Sequence, residues 1–173
     1  MVLYGGRGVF NSGVVHDDGA RLSATSGWSS LGVSPLGPRN AHRMVRSGPN
    51  SAVVWGGASD FGQSSVLGDG ATVTTSVEWT PIPAAGQSPA PRRDHSMVWT
   101  GTELLVWGGT DPAVGCSADG ARYDPTTSAW SPLPPATLAP RMGAAAVWTG
   151  TEFIVWGGCC KDKCFADGAR YRP

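Results

Sequence analysis

An all-β fold of four similar units, stacked sheet against sheet, is predicted by three observations. Four sequence markers recur in one order at a period near fifty residues. The second strand of a unit is apolar at every position. The composition is rich in turn formers and poor in charge: of 173 residues, 25 are glycine, 14 proline and 8 tryptophan, and only 15% are charged. Such usage suits short strands joined by many turns better than long charged helices.

The markers are independent of one another. Double glycines follow an apolar run at Gly5-Gly6, Gly56-Gly57, Gly108-Gly109 and Gly157-Gly158. Asp-Gly-Ala begins at Asp18, Asp69, Asp119 and Asp167. A tryptophan recurs at Trp28, Trp79 and Trp130, and Pro-Arg at Pro38-Arg39, Pro91-Arg92 and Pro140-Arg141. The stretches Val98–Gly109 and Val147–Gly158 agree at 10 of 12 positions. A self-similarity of this length is the mark of a repeat architecture. The units run about 1–34, 39–83, 92–134 and 141–173.

Unit three shows the elements in order. "DHSMVWTG" reads as a first strand ending in a tight turn, and "TELLVWGG" as the second. The short Thr-Gly-Thr link makes these two a hairpin. "DGARYDPTT" is the third strand, closed by an Asp-Pro turn, and "AWSPL" is the fourth, stopped by prolines. A strand with one wet face alternates, whereas "LLVW" and "FIVW" are continuous and so predict cover on both faces. Small sheets covered on both sides by neighbouring sheets make a β-propeller. The double glycines then supply positive φ or close approach where strand two meets its loop. No helix follows them, which argues against a phosphate-binding loop. Trp28, Trp79 and Trp130 are expected to fill the space between blades rather than to stack on sugars.

Unit one opens at strand two and unit four stops after strand three, so the expected strand count is three, four, four and three. Three arrangements fit: a piece of a longer propeller, a compact four-bladed ring, or two copies joined into about eight blades. The first is the expectation. In the first and third, the outer faces of units one and four are apolar and open in a single chain, which predicts self-association.

The set Arg92, His95, Gly108, Gly109, Tyr123 and Trp130 resembles the Kelch motif, and "AVWTGTEFIVWGG" is similar to a bacterial branch of Kelch-repeat proteins, many of them exported. The repeats also resemble those in the central domain of galactose oxidase. The resemblance covers essentially the whole chain. It implies a Kelch propeller and leaves the activity open, because this fold hosts many functions. The sequence departs from the pattern at Leu22 and Val73, where units three and four have Tyr123 and Tyr171. Ala144 stands where His42 and His95 stand, and "RSGPN" replaces "WTGTE" in unit two.

Candidate chemistry is sparse. Formal net charge is zero, with no basic excess for nucleic acid. No apolar stretch is long enough to span a membrane, and "MVLYGGRGVF" carries no signal-peptide pattern. A leader upstream of this start is compatible with its opening inside a repeat. Arg39, Arg92, Arg141, His42 and His95 recur near the first, innermost strand. They are candidates for the mouth of a central channel, against the plainer reading that the arginines pair with carboxylates or backbone carbonyls. Cys116, Cys159, Cys160 and Cys164 all lie in loops between strands two and three. Disulfides suit them better than zinc, because no Cys-x-x-Cys spacing occurs. Sheets ~10 Å apart make a direct Cys116–Cys164 bridge harder than one within "CCKDKC" or from Cys116 to that loop. Loop cysteines of this kind point to an oxidising, extracytoplasmic compartment.

No nucleophile elbow is present. A copper-radical oxidase would need spare tyrosines, yet Tyr4, Tyr123 and Tyr171 occupy repeat positions. No catalytic residue, metal or cofactor is therefore expected. The expectation is a module that binds a protein or glycan through loops 7–17, 58–68, 110–118 and 159–166, without catalysis of its own. Asp60, Phe61, Asp111, Lys161, Asp162 and Lys163 are the candidate contacts. The alternative is a carbohydrate-binding or sugar-isomerising, mutarotase-like propeller.

Overall fold

The computed structural model describes residues 2–7 and 13–173. Blade one contains β1 (Val2–Arg7), β2 (Val15–Ser23) and β3 (Gly27–Ser30). Blade two contains β4 (Arg43–Gly48), β5 (Ser51–Trp55), β6 (Gly70–Thr74) and β7 (Trp79–Ile82). Blade three contains β8 (Ser96–Trp99), β9 (Leu104–Trp107), β12 (Gly120–Asp124) and β13 (Ala129–Pro132). Its inter-strand loop carries a small hairpin of β10 (Thr110–Asp111) and β11 (Gly115–Cys116). Blade four contains β14 (Ala145–Trp148), β15 (Phe153–Trp156) and β18 (Gly168–Tyr171), with a loop hairpin of β16 (Cys159–Cys160) and β17 (Lys163–Cys164). Every blade is an antiparallel meander of three, four, four and three strands. No helix occurs among the described residues.

Sheet stacking explains the continuous apolar strands. In β9, Leu104 and Val106 pack on blade two, against Val53 and Trp55, while Leu105 and Trp107 pack on blade four, against Phe153 and Val155. Successive side chains of a strand point to opposite faces, so a central blade needs apolar residues at every position. The fourth-strand tryptophans close these interfaces. Trp79 lies 5.3 Å from the Tyr4 ring, with its Nε1 donating to Leu31 O at 3.1 Å. Trp130 lies 5.8 Å from Trp55 and 5.1 Å from Tyr123, with Nε1 donating to Pro83 O at 3.0 Å.

Each end blade has a neighbouring blade on one side only among the described residues. β15 is covered on one face only: Phe153 and Val155 are buried, whereas Trp156 is 58% exposed. Trp28 does not fill an inter-blade space, because each fourth-strand tryptophan packs on the preceding blade and none precedes blade one among the described residues. It is 55% exposed.

Backbone hydrogen bonds join the blades along their inner ends. Ala41, Asp94 and Gly143 are equivalent residues just before strand one, with φ of 52°, 54° and 65°. That left-handed turn lets Asp94 N donate to Ala41 O at 3.0 Å and Gly143 N donate to Asp94 O at 2.8 Å. The second residue of the first three double glycines makes a parallel link: Gly6, Gly57 and Gly109 donate to Arg39, Arg92 and Arg141 carbonyls at 2.9 Å. Gly57 has φ of 103°, and a Cβ there would sit 2.6 Å from Asn40 O. Both the conformation and the close approach require glycine at this position.

Candidate functional site

In blades two, three and four the loop between strands two and three stands on a buried arginine. Arg39 donates to both carboxylate oxygens of Asp69 at 3.1 and 3.0 Å, and to Gly56 O at 3.1 Å. Arg92 holds Asp119 in the same way, at 3.0 and 3.2 Å, and Gly108 O at 2.9 Å. Arg141 holds Asp167 at 2.8 Å and Gly157 O at 3.0 Å. All three arginines are buried, and each spends its guanidinium on a carboxylate and a backbone carbonyl, the plainer of the two readings of these positions. The fork of a guanidinium suits this two-point contact, and the desolvated charge is met by a carboxylate and a carbonyl. The Arg141 hydrogen bond holds the Asp167 carboxyl below the usual carboxylate range.

The histidines are likewise scaffold groups. His95 is fully buried, with its ring 5.1 Å from Trp55 and against Gly56. Neither ring nitrogen has a hydrogen-bond partner. His42 lies 6.0 Å from the Tyr4 ring, against Gly5. Burial, with Arg39 second, lowers its pKa to about 4, and burial holds His95 well below its ordinary value.

Above this base the loops are individually built. Residue pairs Asn40–Ala58, Arg93–Thr110 and Met142–Cys159 bridge the lead-in of strand one to the loop that follows strand two. In loop 58–68, Asp60 accepts from the Ser64 hydroxyl and from the Ser64 and Ser65 amides, the latter two at 3.1 and 3.0 Å. Those bonds, the Ser64 hydroxyl first, lower its pKa to about 2. Asn40 Nδ2 donates to Asp60 O at 2.9 Å, and Arg93 Nε of blade three donates to Gln63 O at 3.2 Å. The Asp60 carboxylate thus shapes its own loop. Asp111 does the same, accepting from Ala113 N at 2.8 Å. Phe61 is partly buried in its loop.

In blades three and four the loops are cross-linked. Cys116 in β11 bridges Cys160 in β16 across the two blades, with Cα atoms 5.9 Å apart. Cys159 and Cys164 face each other in the β16–β17 register and are bridged at 4.0 Å. All four cysteines are consumed. The turn of that hairpin presents Lys161, Asp162 and Lys163 to solvent. Lys163 Nζ and the Arg141 guanidinium lie 5.3 and 4.2 Å from the Phe165 ring centre. Val114, 84% exposed at the neighbouring hairpin tip, is a surface residue that sequence reading passed over. Its signal was its place in unrepeated loop text. The loop expected at 7–17 is shorter, because residues 15–17 belong to β2, and its residues 8–12 lie outside the described residues.

Antiparallel blades of three and four strands, stacked face on face through a fourth-strand tryptophan and built on a buried Arg–Asp pair, define part of a Kelch-type β-propeller. The model of the KLHDC2/KLHL20/DRC7 Kelch-repeats domain family matches residues 1–173, and the chain belongs to the Kelch-repeat family. Domains of this family are generally protein–protein interaction modules. No curated protein sequence matches the chain. No helix among the described residues is long and apolar enough to cross a membrane.

Proposed function

We propose that this chain is a protein-binding module without catalysis of its own, docking its partner on the loops of blades two, three and four. The observation that carries this reading is the cross-linked pair of hairpins at Cys116–Cys160 and Cys159–Cys164, which present Val114, Lys161, Asp162 and Lys163 from a fixed frame. A loop that is already ordered loses little entropy on binding, so more of its contact energy appears as affinity. The candidate groups Asp60 and Asp111 act in this reading as loop formers, and Lys161, Asp162 and Lys163 as contacts. The disulfides support a working place in an oxidising, extracytoplasmic compartment.

The test uses the chain as affinity bait beside a variant carrying Val114→Ala, Lys161→Ala, Asp162→Ala and Lys163→Ala. These side chains are exposed, so the melting temperature should stay within a few degrees. A protein retained by the parent chain and lost from the variant is the expected result. Equal retention by both removes these loops from the docking surface. Binding to a glycan panel with no protein retained would favour the carbohydrate reading instead.

A further inference from the structure

The blade-four hairpin takes part in two bridges of unequal exposure. Strands β16 and β17 form a two-stranded sheet of their own, so the outer edge of β17 meets no further strand among the described residues. Cys164 on that edge is exposed, whereas Cys116, Cys159 and Cys160 are half-buried. The Cys159–Cys164 bridge therefore has one accessible end. Its other end is fixed. Cys159 N donates to Met142 O at 2.9 Å, and Met142 N to Cys159 O at 2.8 Å. The next residue, Cys160, is tied to Cys116 of blade three.

The charge around Cys164 favours an anionic reagent. Lys163 precedes it and Lys161 stands in the hairpin turn, both exposed. Lys163 Nζ lies 5.3 Å from the ring centre of Phe165, the residue that follows Cys164. Asp162 offsets one of the two lysines, and Asp167 is engaged by Arg141 at 2.8 Å, so the turn keeps a net positive charge. Cations beside a disulfide draw in thiolates and lower the pKa of the departing thiol, and exposed bridges are the ones that exchange.

We propose that Cys164 is a site of reversible S-thiolation by small acidic thiols of the glutathione class. The reagent's thiolate attacks Cys164 Sγ, forming a new S–S bond there as the bond to Cys159 breaks. The electron pair of the broken bond leaves with Cys159 Sγ, which takes a proton from water. Cys159, still held on Met142, reverses the step by attacking Cys164 and expelling the adduct. A second reagent thiol instead attacks the adduct's own sulfur, releasing the oxidised thiol dimer and a free Cys164 thiol. The Cys116–Cys160 bridge stays closed throughout. The adduct sets carboxylates beside Lys161 and Lys163. Its effect on docking rests on the protein-binding reading above, whereas the exchange itself does not.

The experiment treats the folded chain with excess glutathione, quenches in acid and maps tryptic peptides. Cleavage after Lys161, Lys163 and Arg170 puts Cys164 in residues 164–170, apart from Cys159 and Cys160. A single glutathione on that peptide, with Cys116–Cys160 intact, is the expected result. Rates of thiol release are then compared for the parent chain and Lys161→Gln/Lys163→Gln, using glutathione and cysteamine, whose ammonium cancels its thiolate. The variant should react roughly two- to fivefold more slowly with glutathione and no more slowly with cysteamine. An adduct that forms first on Cys116, Cys159 or Cys160 overturns the proposal. So does equal slowing with both thiols, or reaction only in denaturant. Partner retention in the docking test is a separate readout, so either reading can fail alone.

Discussion

Arg92 shows what a periodic residue means once it has neighbours. Pro-Arg and Asp-Gly-Ala stand in the sequence as two separate periodicities, and the structure joins them, Arg92 to Asp119 across 27 residues. Because both markers recur in step, spacing alone does not say whether an arginine meets its own unit's aspartate or a neighbour's. Trp28 teaches the converse. Its position matches Trp130, yet its burial depends on another blade, to which the period of its own unit is blind. The histidines carry a testable consequence. The unfolded imidazole of His42 binds a proton near pH 6.5, whereas the folded one stays neutral down to about 4. The unfolded state therefore holds more protons in that window, and stability falls as pH drops through it. His42 alone contributes a loss on the order of 3 kcal/mol between those limits, and His95 shifts in the same direction. Urea midpoints measured from pH 7 to 4 should fall, and His95→Ala, which places there the residue that blade four carries at the equivalent Ala144, should lower stability at every pH and flatten the slope. A slope unchanged by that substitution would contradict the buried neutral imidazole.

Strands and turns were largely legible at the scale of the element. The hairpin of β8 and β9, the glycine exits and the meander order all follow from apolar runs bounded by turn residues. The small hairpins β10–β11 and β16–β17 were not, since strands of two residues have no period to read. The cysteines were legible as loop residues, while their pairing required the loops to have positions. The bridge from Cys116 goes to Cys160, at a sequence separation of 44, and Cys159–Cys164 at a separation of 5. Closing the longer loop restricts the unfolded chain more, by about 4 kcal/mol against about 2 kcal/mol in the chain-entropy treatment. Thermal unfolding of Cys116→Ser/Cys160→Ser should therefore show a larger fall in Tm than Cys159→Ser/Cys164→Ser. Equal falls would mean that the cross-blade bridge does not constrain the chain as its span implies.

For the whole molecule, a single rule accounts for core, repeat and open ends: each blade buries its faces on its neighbours. The continuous "LLVW" is buried on both sides because blade three has two neighbours, and "FIVW" alternates in burial because blade four has one among the described residues. The repeat period made the radial stacking readable, whereas the exposure of the end faces appeared only once neighbours were counted. The fourth-strand tryptophan is where this rule is most concentrated, since Trp130 fills the space between Trp55 of one blade and Tyr123 of the next. The direct measurement is urea unfolding of Trp130→Ala beside the parent chain. Loss of a buried side chain between blades predicts a destabilisation of ~3–5 kcal/mol. A loss under ~1 kcal/mol, the size expected for an exposed residue, would contradict blade-on-blade packing as the source of the fold.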